Sequence, residues 1–128
     1  MLPAADQAFL TERGLAHQVT IEAGMSCVVL KGWEMPLGYS HSQVDLLMRL
    51  APGYPDIPPD MWWTSPAVTL AGGGQVEATQ VTEYYLGRAW QRWSRHFRPG
   101  QWQPGVDGLE TYLARVRREM LRSARRPA

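Results

Sequence analysis

The chain has 128 residues, 45% hydrophobic and 20% charged, with a formal net charge of +1. That is the size and balance of one globular domain with its own core; it excludes a disordered chain and a global basic field of the kind that draws nucleic acid. One cysteine excludes an internal disulfide, no apolar run reaches membrane-spanning length, and the N-terminus lacks a basic-then-apolar signal pattern, so a soluble cytoplasmic protein is expected.

Residues 4–13, followed by Gly14, predict a short helix closed by glycine. Residues 17–23 and 25–36, split at Gly24, predict two strands rich in Val, Ile and Thr. Residues 42–52 predict a third, in which Val44, Leu46 and Met48 alternate onto one face and Leu47 breaks the pattern. In the stretch that follows, Pro55, Pro58 and Pro59 fix φ and remove backbone donors, so a corner is predicted. Residues 61–70 predict a fourth, shorter strand, and 71–75 a flexible turn. Further on, Leu86, Trp90, Trp93 and Phe97 fall at i, i+4, i+7 and i+11, which predicts a turn or two of helix inside a long loop. A last helix is predicted from near Val106, burying Leu109, Leu113, Val116 and Met120, with Asp107 and Glu110 at its positive end. The sum is an α+β domain over 1–128: N-terminal helix, four-stranded antiparallel meander, proline-rich corner, long loop and C-terminal helix. Arg115, Arg117, Arg118, Arg122, Arg125 and Arg126 cluster toward the C-terminus; a solvated helix face running into a basic frayed tail over 122–128 is expected, in preference to a binding patch.

The corner "YPDIPPDMWWTSP" in this setting resembles the ubiquitin-conjugating enzyme fold, which carries Tyr-Pro-x-x-Pro-Pro followed by a short strand. The matching residues are Tyr54, Pro55, Pro58 and Pro59, then Trp63 and Thr64. Tyr39 lies fifteen residues before Tyr54, a spacing the family shares, and Trp102 with Pro104 matches its Trp-x-Pro. The resemblance covers roughly residues 5–121, and the two further C-terminal helices of eukaryotic members are missing. It implies a compact bacterial branch, with a ubiquitin-like protein and an activating enzyme as partners; the charge and the lack of a long apolar run already set aside nucleic acid and membrane as partners. The family's activating-enzyme contact falls by position on Phe9 and Leu10. By family association alone it also implies a setting such as antiviral defence.

The family's catalytic cysteine, which forms a thioester with the ubiquitin-like C-terminus about eight residues before that tryptophan, has no counterpart here. Nor has its His-Pro-Asn element. Cys27 lies on a predicted strand before the corner, where core packing is expected. Gln91 or Ser94 occupies the family's cysteine position, and of the two only Ser94 can be a nucleophile. A serine needs a base, and His96 is two residues on; the two share a side only if the segment is not helical. Arg92 and Arg95 are candidates to stabilise an oxyanion or hold an acidic partner. Two functions remain open: a carrier that takes the ubiquitin-like C-terminus as a Ser94 oxyester and passes it on, and a non-catalytic module that docks the same partners. The scarcity of lysine, Lys31 alone against twelve arginines, suits a protein that must not acylate itself, although genome composition explains it more simply. No cofactor is implied, and no set of His, Cys, Asp or Glu has metal-ligand spacing.

Overall fold

The computed structural model describes residues 2–125. Its elements are α1 (Ala4–Glu12), β1 (His17–Glu22), β2 (Met25–Glu34), β3 (Gln43–Leu50), β4 (Trp62–Ser65), β5 (Thr82–Tyr85), β6 (Arg88–Trp93) and α2 (Leu109–Ser123). The strands form one antiparallel sheet in the order β1-β2-β3-β4-β6-β5. The α+β class is as expected, but the sheet has six strands rather than four. Among the described residues no helix is long and apolar enough to cross a membrane.

The two extra strands replace the predicted helical turns. Tyr85 pairs with Arg88, so Leu86 and Gly87 alone close the β5–β6 hairpin, both at positive φ (54° and 75°). That is the two-residue turn whose twist suits a hairpin, and a glycine fills its second place. The helical spacing arose because Trp90 and Trp93 lie on opposite faces of β6 and both are buried. Trp93 packs with the main core, while Trp90 packs with Cys27, Val29, Leu47 and Trp63 on the reverse face. Leu47, the residue out of step in β3, belongs to that second cluster. A sheet covered on both faces therefore hides its period of two.

The main core lies between the sheet and α2. Val28, Leu30, Leu46, Met48, Trp62 and Trp93 meet Leu109, Tyr112, Leu113, Val116 and Met120. The stripe predicted for the last helix is thus its buried face, with Tyr112 added. The helix begins at Leu109 rather than near Val106, because Gly105 takes a positive φ of 82° and the Asp107 carboxylate accepts from Gln103 N at 2.8 Å, making a turn instead. Of the segment 122–128, Arg122 and Ser123 form the last turn of α2, Ala124 and Arg125 a turn beyond it, and residues 126–128 lie outside the described residues.

Candidate functional site

The proline corner is a joint between α1, β4 and α2. The Tyr54–Pro55 bond is cis, and the Tyr54 hydroxyl donates to Asp6 Oδ2 at 2.6 Å. The other oxygen of Asp6 accepts from Leu109 N at 3.0 Å, so a carboxylate on α1 caps the positive end of α2. Gly108, the N-cap residue, has no side chain to do this, and a Cβ there would stand 2.8 Å from Asp6 Oδ1. Trp102 donates from Nε1 to Pro55 O at 2.8 Å and packs against Tyr54, Phe97 and Tyr112. Pro59 is buried, Pro58 half-buried and Pro104 exposed. Tyr39 braces the far end: its hydroxyl donates to Met120 O, and its ring meets Trp93 edge-on. Burial pushes the Tyr39 phenol up to about 12, against the pull of Arg95, and pushes Tyr54 and Tyr112 up as well.

This joint aims the chain past the exit of β6. Residues 94–98 have no regular structure, so Ser94 and His96 are not forced apart by a helix. Ser94 is half-buried, its amide donates to Ala78 O at 3.0 Å, and its Oγ accepts from Arg92 Nε at 3.2 Å. Arg92 is held in turn by Glu83 at 3.3 Å, and Glu83 also accepts from Trp63 Nε1 at 2.9 Å. His96 is exposed; its Nδ1 pairs with Asp60 Oδ1 at 2.7 Å, and its carbonyl accepts from Arg115 Nη2 at 3.0 Å. An Nδ1 held by a carboxylate leaves Nε2 as the free ring nitrogen. No hydrogen bond joins Ser94 to His96. Asp60 owes its aim to Met61, whose backbone takes φ +61° and whose carbonyl accepts from the Tyr112 hydroxyl at 2.7 Å.

Three residues proposed from sequence take other places. Gln91 is buried and three bonds hold its amide: Oε1 accepts from Thr64 Oγ1 (3.0 Å) and Val68 N (2.8 Å), and Nε2 donates to Val68 O (2.9 Å). It staples the chain after β4 to the sheet, facing inward rather than toward a partner. Arg95 turns inward. Its guanidinium donates to Ser123 Oγ at 2.8 Å and lies 3.5 Å from Glu119, and burial pushes its pKa down while Glu119 opposes that shift. It is an anchor between Ser94 and His96. Leu10 is fully buried, so of the pair on α1 only the half-buried Phe9 reaches the surface. Cys27 is fully buried as well. Among the described residues no cluster of three or more His, Cys, Asp or Glu is placed to hold a metal.

Sequence reasoning missed Asp6, Asp60 and Glu83. Each meets its partner across 20 or more positions or from another element, or, as with Glu83 and Arg92, across a hairpin that had not been recognised. The Leu86–Gly87 dipeptide between aromatic-rich runs was the available signal for that hairpin and so for the Glu83–Arg92 pair.

The model of the family described as prokaryotic E2 family E matches residues 2–123. No curated protein and no solved structure matches the chain.

Proposed function

We propose, from the premise that this chain belongs to prokaryotic E2 family E, that it is a carrier in ubiquitin-like protein conjugation with Ser94 as its acyl site. One observation carries the reading. At the exit of β6 two polar side chains are each held by a charged partner, Ser94 by Arg92 and His96 by Asp60, with Arg95 anchored between them.

The chemistry needs a high-energy acyl donor, such as the adenylate of the ubiquitin-like C-terminus presented by an activating enzyme. Ser94 Oγ attacks the carbonyl carbon and its proton passes to His96 Nε2. The bond from that carbon to the phosphate oxygen breaks and AMP leaves, so that an ester remains on Ser94. Asp60 stabilises the protonated imidazole, and Arg92 stabilises the negative charge on Oγ as it forms. Docking of the partner brings the exposed His96 ring to Ser94, since resting geometry at such sites is commonly open.

A second reading, a docking module without a covalent step, is favoured by the missing Ser94–His96 bond and the burial of Cys27. The protein mixed with activating enzyme, ubiquitin-like protein and ATP decides between them. An adduct that survives thiols, is cleaved by hydroxylamine and is absent in Ser94→Ala supports the carrier. Ser94→Cys is expected to convert it to a thiol-labile adduct. Retained binding with no adduct in either form leaves the docking module.

A further inference from the structure

The C-terminal helix carries more positive charge than the core or the Ser94 loop accounts for. Arg115, Arg118, Arg122 and Arg125 fall three or four positions apart, a stripe about 15 Å long on one side of α2 and the turn after it. Like charges at that spacing work against the helix. The negative end of the helix dipole favours Arg122 and Arg125 but not Arg115 and Arg118, which stand further back. Glu119 answers Arg122 at 2.6 Å. Arg118 has no side-chain hydrogen bond or ion pair among the described residues. The Arg115 guanidinium lies 4.3 Å over the Phe97 ring, and its Nη1 is shielded from solvent with no partner among the described residues.

Two hollows run along this stripe. One of about 240 Å³ is walled by Phe97, Trp102, Thr111, Tyr112 and Arg115. The other, of about 450 Å³, lies over Leu121, Arg122 and Arg125. Arg118 lines both, so the hollows adjoin at its side chain and make a two-part trough, aromatic at the end near the Ser94 loop and cationic at the other. Leu121, 46% exposed, supplies an apolar floor to the cationic end.

We infer that this trough docks an acidic, extended peptide segment of a partner protein. The segment seats one apolar side chain against Phe97, Trp102 and Tyr112 and lays its carboxylates on Arg118 and Arg125, either side of the Arg122–Glu119 pair. Guanidinium forks match carboxylates in pairs of hydrogen bonds, and about five extended residues span the stripe at roughly 3.3 Å each. A peptide suits it better than a nucleic acid. Asp107 lines the aromatic end, where a peptide presents an apolar side chain but a run of phosphates meets a carboxylate, and the whole chain carries only +1. This inference goes beyond the carrier reading and does not rest on it.

The test is fluorescence anisotropy on the full chain with a labelled hexapeptide of glutamates and aspartates around one tryptophan. The controls are the same peptide with its carboxylates replaced by amides, and a single-stranded DNA hexamer. The acidic peptide is expected to bind at least tenfold more tightly than the amide peptide at low salt, and to weaken as salt is added. The double variant Arg118→Glu, Arg125→Glu is expected to lose at least tenfold with an unchanged urea midpoint. Arg117→Glu, the same kind of charge change off the stripe, is expected to stay within about threefold. Equal affinity for the amide peptide, an equal loss from Arg117→Glu, or no loss in the double variant overturns the inference. Tighter binding of the DNA overturns it in favour of a nucleic-acid surface.

Discussion

The corner and the β6 exit both join a carboxylate to a partner far along the chain, yet they are built for different ends. At the corner, Asp6 is buried and each of its oxygens takes a bond, from Tyr54 and from Leu109. At the β6 exit, Asp60 and His96 have side chains 61% and 59% exposed. A buried, doubly bonded carboxylate is costly to disturb, because each lost partner stays dry. An exposed pair exchanges its bond for water at almost no cost. The corner holds elements in place, and the β6 exit holds side chains that can still move.

The comparison breaks most readily at Asp6. Asp6→Ala is expected to destabilise the fold by about 3 kcal/mol, read from urea unfolding, because Tyr54 and Leu109 lose their acceptor together. A loss below about 1 kcal/mol would place the joint elsewhere. Gly108→Ala comes next, at about 1–2 kcal/mol, since its Cβ presses on Asp6 Oδ1. In the Asp6→Ala background that loss is expected to shrink, and plain additivity of the two would argue against the contact.

Tyr39→Phe is expected to cost about 1 kcal/mol through its bond to Met120 O. It also sharpens the pH behaviour. The folded-state pKa of Tyr39 is raised by burial to about 12, so the stability linked to its neutral form is complete below pH 10 and is lost between 10 and 12. Unfolding midpoints followed across that window are expected to fall less steeply in Tyr39→Phe than in the parent.

Asp60→Ala carries the smallest expected change in stability, within about 0.5 kcal/mol, since the pair it removes is exposed. In the adduct assay it is nevertheless expected to slow loading of Ser94, by on the order of tenfold or more. A large loss of stability with loading intact would reverse the roles given to the two regions.

Much of the fold was legible in residues that act locally. Gly14 and Gly24 end a helix and split two strands, Pro55, Pro58 and Pro59 forbid regular structure, and one stripe of α2 names its buried face. Where the pattern misled, burial on two sides was the reason. Trp90 and Trp93 point opposite ways, yet each is covered, so spacing alone reads as a helix. The candidate site was legible as a segment of the chain more than as an arrangement. Ser94 and His96 stand on an irregular segment after β6, but Gln91 faces inward to Thr64 and Val68, and Arg95 to Glu119 and Ser123. Which way a side chain leaves the backbone depends on which element covers that face.

Turns, the glycine stop after α1 and the α+β class follow from φ preferences and local periodicity, which each short segment carries within itself. Partner choice does not. Asp6 with Leu109, Asp60 with His96 and Tyr39 with Met120 are separated by 103, 36 and 81 positions. Those pairings exist because the sheet and α2 close over one core and bring distant polar groups within hydrogen-bond reach, where burial makes them stay.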